Sequence, residues 1–243
     1  MSRVVWLILV VTSYLCASGQ DLSTLATVQG RGELFCGVSD LSPDEIIQTE
    51  DGGLVGFYAD FCRALAVAVL DDAASVVYLP LSPSEQFSAL RRGEMDIVVG
   101  SVTLTSDRDA EVAFGPVVFH EGAQHYAPAL RQGDERWRDT VSWVIYALIQ
   151  AEEWGLTSQN VADAAQVAGE APALERFLGM ESALVEQLGL EPAALQRTLG
   201  VVGNYGEIYE RHLGVGASLT LDRGPNRLWT EGGLLYAPPF SLR

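Results

Sequence analysis

Short apolar runs alternate with helix-type segments along the first hundred residues, and this alternation restricts the fold more than any other feature. The runs predict strands over 33–38, 75–79 and 95–99, with a helix between each pair. Residues 113–119 predict a fourth strand, and a fifth strand is expected to return to the sheet over 126–134. Because strands joined by short helical crossovers lie parallel in one sheet, the sequence predicts an α/β fold with a mainly parallel five-strand sheet and flanking helices.

Capping signals place the helices. Asp60 is predicted to cap a helix, and Ser82-Pro83-Ser84-Glu85 resembles a capping box with proline at the first helical position. Gly93 is predicted to end that second helix. Asp134 is predicted to cap a long helix that ends before Gly155. One apolar stripe of the long helix is predicted to consist of Trp137, Val141, Val144 and Leu148.

The second half of the chain is predicted to be mostly helical. Helices are expected over 161–168, 173–178, 182–188, 192–199 and 205–213. Two segments, 41–53 and 219–240, are predicted to be loops. We expect Trp229, Tyr236 and Phe240 in the second loop to be core plugs and packing anchors rather than a platform for bases or sugars.

The charge balance excludes two classes of partner. The 243 residues include 32 acidic and 15 basic residues, for a net charge of −17. Such a chain repels phosphate backbones and anionic lipid headgroups, so we expect neither nucleic-acid binding nor membrane-surface binding.

The first residues resemble a secretory signal peptide. Arg3 precedes an apolar run over 4–11, and small residues follow at 16–20. We expect residues 1–19 to be the signal peptide, with cleavage near Ser18 or Gly19, and an exported protein with no membrane insertion after cleavage. An uncleaved anchor and a lipoprotein are the alternatives.

Signal-peptide cleavage would leave two cysteines, Cys36 and Cys62, in an oxidising compartment. We expect them to form an intramolecular disulfide between the first strand and the first helix. Two separately buried thiols are the alternative. A metal-binding or catalytic role lacks supporting ligands.

A small, hydroxyl-rich loop follows the third predicted strand. Ser101 and Thr103 lie directly after the strand, and Arg108 comes five residues later. Ligands of open α/β sheets bind at the carboxyl ends of strands, where hydroxyl groups and a guanidinium group can hold a carboxylate. The alternative is that the hydroxyl residues belong to turns and that Arg108 pairs with Asp107 or Asp109.

Longer motifs elsewhere in the chain indicate a family to which the loop could belong. The chain resembles the periplasmic solute-binding proteins of amino-acid ABC importers, in particular the general L-amino-acid-binding subfamily. The resemblance is carried, in this order, by residues 36–39, 56–64, 78–82, 87–90, 133–137, 202–211 and 228–239. The resemblance runs from about residue 32 to residue 240 and implies a type II periplasmic-binding-protein fold. It also implies a periplasmic location, an L-amino-acid ligand and an ABC permease as partner. Ser101 and Thr103 would then contact the ligand's α-amino and carboxyl groups, and Arg108 would bind its carboxylate.

The chain departs from this family in one large respect. Residues 120–124 resemble the strand that leaves for the second lobe, yet residues 126–134 already resemble the returning strand. We therefore expect a single lobe over 20–243, with 33–119 and 125–243 packed together. Loss of half the ligand's burial and of an acidic partner for its ammonium group would weaken binding by roughly 3–5 kcal/mol. Leu104 and Tyr58 also differ from the residues usual in the family at these positions.

Two other interpretations remain at this point. One is a non-transporting interaction or sensor-type protein built on one lobe, and the other is a decaying gene product. An enzyme is not expected, because His120, His125 and His212 lack metal-ligand spacing and no nucleophile motif or phosphate-binding loop is present. We expect no cofactor, no metal and no catalytic residue, and we expect His120 and His125 to have ordinary surface or strand-end positions.

Overall fold

A computed structural model describes residues 23–39, 46–48, 54–167, 172–178, 183–217 and 219–240. The predicted signal peptide, most of the predicted loop over 41–53, and residues 168 and 182 of two predicted helices lie outside these ranges. The strands are β1 Leu34–Ser39, β2 Ile46–Gln48, β3 Leu54–Gly56, β4 Val76–Leu81, β5 Ile97–Gly100, β6 Ala113–Phe114, β7 Phe119–Glu121, β8 Gln124–Tyr126 and β9 Ala129–Leu130. The helices are α1 Thr24–Arg31, α2 Phe57–Leu70, α3 Gln86–Arg92, α4 Ser106–Asp109, α5 Glu135–Glu153, α6 Val161–Val167, α7 Pro172–Phe177, α8 Ala183–Gln187, α9 Ala194–Val202 and α10 Tyr205–Leu213.

The five-strand, mainly parallel sheet is confirmed. Its order is β4-β1-β5-β9-β6. Strand β1 pairs in parallel with both β4 and β5, whereas β9 pairs antiparallel with β5 and β6. Two antiparallel ribbons, β2–β3 and β7–β8, stand outside this sheet.

Alternate residues of β5 serve two hydrophobic clusters, one on each face of the sheet. Ile97 and Val99 belong to the larger cluster, to which α1, α2, α5, α9 and α10 contribute. Val98 belongs to a smaller cluster with Leu90 of α3. This alternation follows from the two-residue period of a strand, and it explains why a run of continuous apolar residues marks a buried parallel strand.

The predicted disulfide is present. Cys36 in β1 and Cys62 in α2 are bonded, with their Cα atoms 6.4 Å apart, and both are fully buried. The bond links β1, an inner strand of the sheet, to helix α2.

The prediction that Asp60 caps α2 is wrong. The helix begins at Phe57 with Gly56 as its N-cap, so Asp60 lies inside the first turn and is completely buried. Its carboxylate contacts Arg63 and Arg211 instead of the free backbone N–H groups of the helix.

The predicted capping box lies one turn ahead of its helix. Ser82 Oγ donates a 2.5 Å hydrogen bond to the Glu85 carboxylate, and α3 begins only at Gln86, so Pro83 is not its first residue. The predicted end is confirmed, because Gly93 adopts the left-handed conformation (φ 71°) and caps the last turn.

Asp134 caps α5 as predicted, and it also supports a helix that the sequence did not predict. Its carboxylate accepts from Trp137 N at 3.1 Å and from Thr24 N, near the start of α1, at 2.6 Å. Helix α1 also has local caps, because the Ser23 side chain accepts from Ala26 N and Gly32 adopts the left-handed conformation at the other end. The bond from Thr24 to Asp134, by contrast, spans 110 positions.

Two loop predictions need correction. Ile46–Gln48 is a strand paired with Leu54–Gly56, although the sequence predicted a loop there. In the tail, Phe240 is buried as expected, but Trp229 and Tyr236 are each 52% exposed. These two rings pack edge to face on each other, with their centres 6.0 Å apart. Within the described ranges, no helix has both the length and the apolar character required to cross a bilayer.

Candidate ligand-binding site

The carboxyl ends of three parallel strands meet at one edge of the sheet. Ser39 at the end of β1 is in register with Leu81 at the end of β4 and with Gly100 at the end of β5. The predicted loop therefore begins where an open α/β sheet presents its ligand-binding edge.

Gly100 turns the chain out of β5. Its φ of 114° lies in a region that favours glycine, and Val102 N donates to Gly100 O at 2.7 Å across the turn. Thr103 then lies opposite Tyr126 of β8 as an isolated antiparallel pair. Bonds on both sides fix this pair, from Leu104 N to His125 O (2.8 Å) and from Ala127 N to Val102 O (3.2 Å). The β7–β8 ribbon thus braces the loop.

Arg108 bends back onto the same loop. Its Nη1 donates to Thr103 O at 3.1 Å, and its Cζ lies 5.6 Å from the centre of the Phe87 ring. The Thr105 hydroxyl caps α4 and accepts from Arg108 N at 3.4 Å. The structure therefore brings Thr103 and Arg108 together, with Ser101 two residues earlier in the loop and partly buried.

The alternative interpretation of Arg108 as an ion-pair partner is not supported. Neither Asp107 nor Asp109 forms an ion pair with it, and none of the carboxylates that the structure describes lies within 4.0 Å of its guanidinium nitrogens. A guanidinium group has five N–H donors, so one bond to a carbonyl leaves capacity for a bidentate carboxylate.

Sequence reasoning gave no role to Phe87. Its ring lies on α3 and packs partly against the smaller cluster. The only sequence signal was its place in one of the motifs shared with the resembled family, and that signal carries no geometry.

Sequence reasoning also missed a buried charge cluster around Asp60. The carboxylate accepts from Arg63 Nη1 at 2.8 Å and His212 Nε2 at 2.7 Å, and it also contacts Arg211. Burial raises the pKa of Asp60, but the bond and charge of His212 and the charges of both arginines outweigh it, so the pKa is lowered. The cluster joins α2 to α10 and is a structural element. Only Arg63, three residues after Asp60, was a visible signal.

Comparisons with known proteins agree with this fold. The model of the bacterial extracellular solute-binding proteins, family 3, matches residues 34–160, which is more than half of the chain. The glutamate/glutamine/aspartate/asparagine-binding protein BztA of Rhodobacter capsulatus is 28% identical over 324 residues, covering 93% of this chain and 96% of that protein. The general L-amino acid-binding periplasmic protein AapJ of Rhizobium johnstonii is 29% identical over 323 residues, covering 92% and 94%.

A solved structure is also similar over nearly the whole chain. It is an ABC transporter/periplasmic binding protein from Brucella ovis with glutathione bound, 25% identical, with a TM-score of 0.84. The match covers 90% of this chain and 99% of that one. With its mainly parallel sheet and its family match from β1 to the residues after α5, this chain belongs to the bacterial extracellular solute-binding proteins of family 3.

Proposed function

We propose that this protein is the extracytoplasmic amino-acid-binding component of an ABC importer. The observation that carries the proposal is Arg108, which is held against Thr103 O at the ligand-binding edge without a carboxylate partner in the described structure. A ligand carboxylate would satisfy its remaining donors. Ser101 and Thr103 would contact the ligand's α-amino and carboxyl groups.

The ligands named for the relatives share one chemical group. BztA is named for glutamate, glutamine, aspartate and asparagine, and AapJ for L-amino acids in general. Glutathione, which is bound in the Brucella ovis structure, also has a free α-amino-acid end. We therefore expect recognition of the α-amino and α-carboxylate groups, with variable side chains tolerated.

Weakened affinity is part of the proposal, because we interpret residues 20–243 as one lobe. The alignment with BztA runs over 324 residues, more than the 243 of this chain, so the relative has a stretch without a counterpart here. The β7–β8 ribbon would replace the crossing to a second lobe and would join 33–119 to 125–243. One face of the ligand then stays in water, and a loss of roughly 3–5 kcal/mol corresponds to two to four decades in affinity.

The cellular setting completes the proposal. Residues 1–19 would act as a signal peptide, and the mature protein would work in the periplasm, where a disulfide such as Cys36–Cys62 persists. An ABC permease would be the protein partner, and the binding role requires no enzymatic activity.

Titration of the mature protein with L-glutamate, L-glutamine, L-aspartate, L-asparagine and glutathione tests the proposal. Chemical shifts from ¹⁵N-labelled protein detect weak binding, and isothermal titration detects strong binding. We expect saturable, millimolar binding that involves the resonances of Ser101 and Thr103. Submillimolar affinity for an amino acid would contradict the weakening. Absence of binding across the panel would favour the interaction or sensor-type alternative.

A further inference from the structure

The β7–β8 ribbon places two histidines directly opposite each other. His120 in β7 pairs with His125 in β8, next to the turn formed by Gly122 and Ala123. Gly122 has a φ of 56°, which suits a tight two-residue hairpin. Because side chains of directly opposed residues leave the same face of a ribbon, the two imidazoles meet. The sequence predicted ordinary surface or strand-end histidines here.

The two imidazoles are in direct contact. Their Nδ1 atoms are 2.8 Å apart, and the ring centres are 4.9 Å apart with the planes at 75°. In a neutral pair, one Nδ1–H donates to the other Nδ1, which carries a lone pair. Both side chains are partly exposed, so a solute can reach them.

The backbone of both histidines is held from outside the ribbon. The Asn226 side chain accepts from His120 N at 2.7 Å and donates to His120 O at 3.0 Å, and Asn226 is only 3% exposed. On the other strand, His125 O accepts from Leu104 N at 2.8 Å. The spacing of the imidazoles therefore does not depend on the hairpin alone.

We propose that His120 and His125 form a two-imidazole site for a divalent transition-metal ion of the Cu²⁺/Ni²⁺ class. Two nitrogens at a bond length of about 2.0 Å from one ion and 2.8 Å apart subtend about 90° at that ion. This is the angle between neighbouring ligands in square-planar or octahedral coordination, which Cu²⁺ and Ni²⁺ adopt. Tetrahedral Zn²⁺ prefers a wider angle.

The chemistry of the pair suits metal binding near neutral pH. A neutral imidazole keeps a lone pair on one of its ring nitrogens, and a metal ion binds through that lone pair. When the ion binds both Nδ1 atoms, the proton on one Nδ1 moves to Nε2 of the same ring through solvent, and a neutral pair releases no proton. Among the residues that the structure describes, no group of three or more histidine, cysteine, aspartate or glutamate side chains could hold a metal. Water or a solute would therefore fill the remaining positions.

Titration of the untagged mature protein with Cu²⁺ and with Ni²⁺ tests this site independently of the proposed function, because no amino acid is present. We expect one equivalent of Cu²⁺ with two-nitrogen coupling in its electron paramagnetic resonance spectrum, Ni²⁺ binding by calorimetry, and weaker binding of Zn²⁺. His120→Ala and His125→Ala should each abolish the two-nitrogen signal. Asn226→Ala should weaken binding about tenfold, since it loosens His120 without removing a ligand.

The matched control is His212→Asn, which removes the third histidine at a position outside the ribbon, where His212 bonds to Asp60. Circular dichroism shows whether each variant is folded. If the two-nitrogen signal survives in folded His120→Ala and His125→Ala, or if the wild-type protein binds neither metal, the proposal is wrong.

Discussion

Arginines serve two regions of this molecule in opposite ways. Behind the sheet, Arg63 and Arg211 are paired with the buried carboxylate of Asp60, and the nearby Cys36–Cys62 bond fixes the same helix. At the carboxyl edge, Arg108 contacts a backbone carbonyl and the face of Phe87. The first region is complete without a ligand, whereas the second has donor capacity for an incoming anion.

This difference separates stability from binding. A buried carboxylate with several cationic partners is a structural element whose loss destabilises the fold. A partly buried guanidinium held by a carbonyl and an aromatic ring is oriented without being neutralised. We therefore expect substitutions in the Asp60 cluster to alter the free energy of unfolding, and substitutions at the carboxyl edge of the sheet to alter ligand affinity.

Removal of the disulfide should have the largest effect. The bond closes a sequence separation of 26 residues, and the chain-entropy model assigns a loop of that size about 3.5 kcal/mol. In Cys36→Ala/Cys62→Ala, the free energy of unfolding should fall by about this amount. Urea denaturation measures the change. An unchanged midpoint would mean that the bond does not stabilise the helix against the sheet.

Asp60→Asn should lower the free energy of unfolding by about 3 kcal/mol, near the lower end for a broken buried pair, because Arg63 and Arg211 can partly rehydrate. The effect should depend on pH with a definite sign. Since folding lowers the pKa of Asp60, its contribution is complete above its unfolded pKa of about 3.9 and is lost as the pH falls through the lower folded value.

Urea denaturation of wild-type protein and Asp60→Asn at several pH values between neutral and strongly acidic measures this difference. Asp163→Asn, at an exposed position of α6, is the control and should be near neutral. If the difference in free energy of unfolding between wild-type protein and Asp60→Asn grows as the pH falls, the pKa of Asp60 is not lowered by folding.

Arg108→Ala should reduce affinity for the best amino-acid ligand by about 1.5–3 kcal/mol, roughly 10- to 150-fold, because a charge-assisted bond to the ligand carboxylate is lost. The free energy of unfolding should change by less than about 0.5 kcal/mol. The matched control is Arg92→Ala, which removes an exposed arginine paired with Glu94. Equal losses of affinity in the two variants would indicate a general charge effect.

Thr103→Val should have the smallest effect. It removes one hydroxyl at nearly constant volume, so affinity should fall by about 0.5–1.5 kcal/mol. Thr27→Val, on the exposed side of α1, is the control. Chemical-shift titration measures both, and an unchanged affinity in Thr103→Val would remove this hydroxyl from the site.

The sequence predicted the parts of the fold that depend on local or repeating patterns. Strands β1, β4 and β5, the cap at Asp134 and the Gly93 helix end are local or periodic signals, whereas the returning strand β9 was expected from the family resemblance. Asp60 was misassigned because its true partner Arg211 lies 151 residues away.

The sequence also left the contacts within the candidate site and within the β7–β8 ribbon unpredicted. The loop predicted Ser101, Thr103 and Arg108 as neighbours in sequence, and the structure supplied the bond between Arg108 and Thr103 O. The contact of Phe87 with Arg108 depends on how α3 packs beside the loop. The histidine pair depends on the register of two short strands, which the spacing of five residues does not specify.

The central claim is that Arg108 binds the α-carboxylate of a ligand. The most direct test is a thermodynamic cycle that combines Arg108→Ala with replacement of the ligand α-carboxylate by an amide, using the tightest-binding amino acid of the panel. We predict that the amide binds roughly 10- to 150-fold more weakly than the acid to the wild-type protein, and that acid and amide bind equally to Arg108→Ala. An equal loss on amidation in both proteins would contradict the claim.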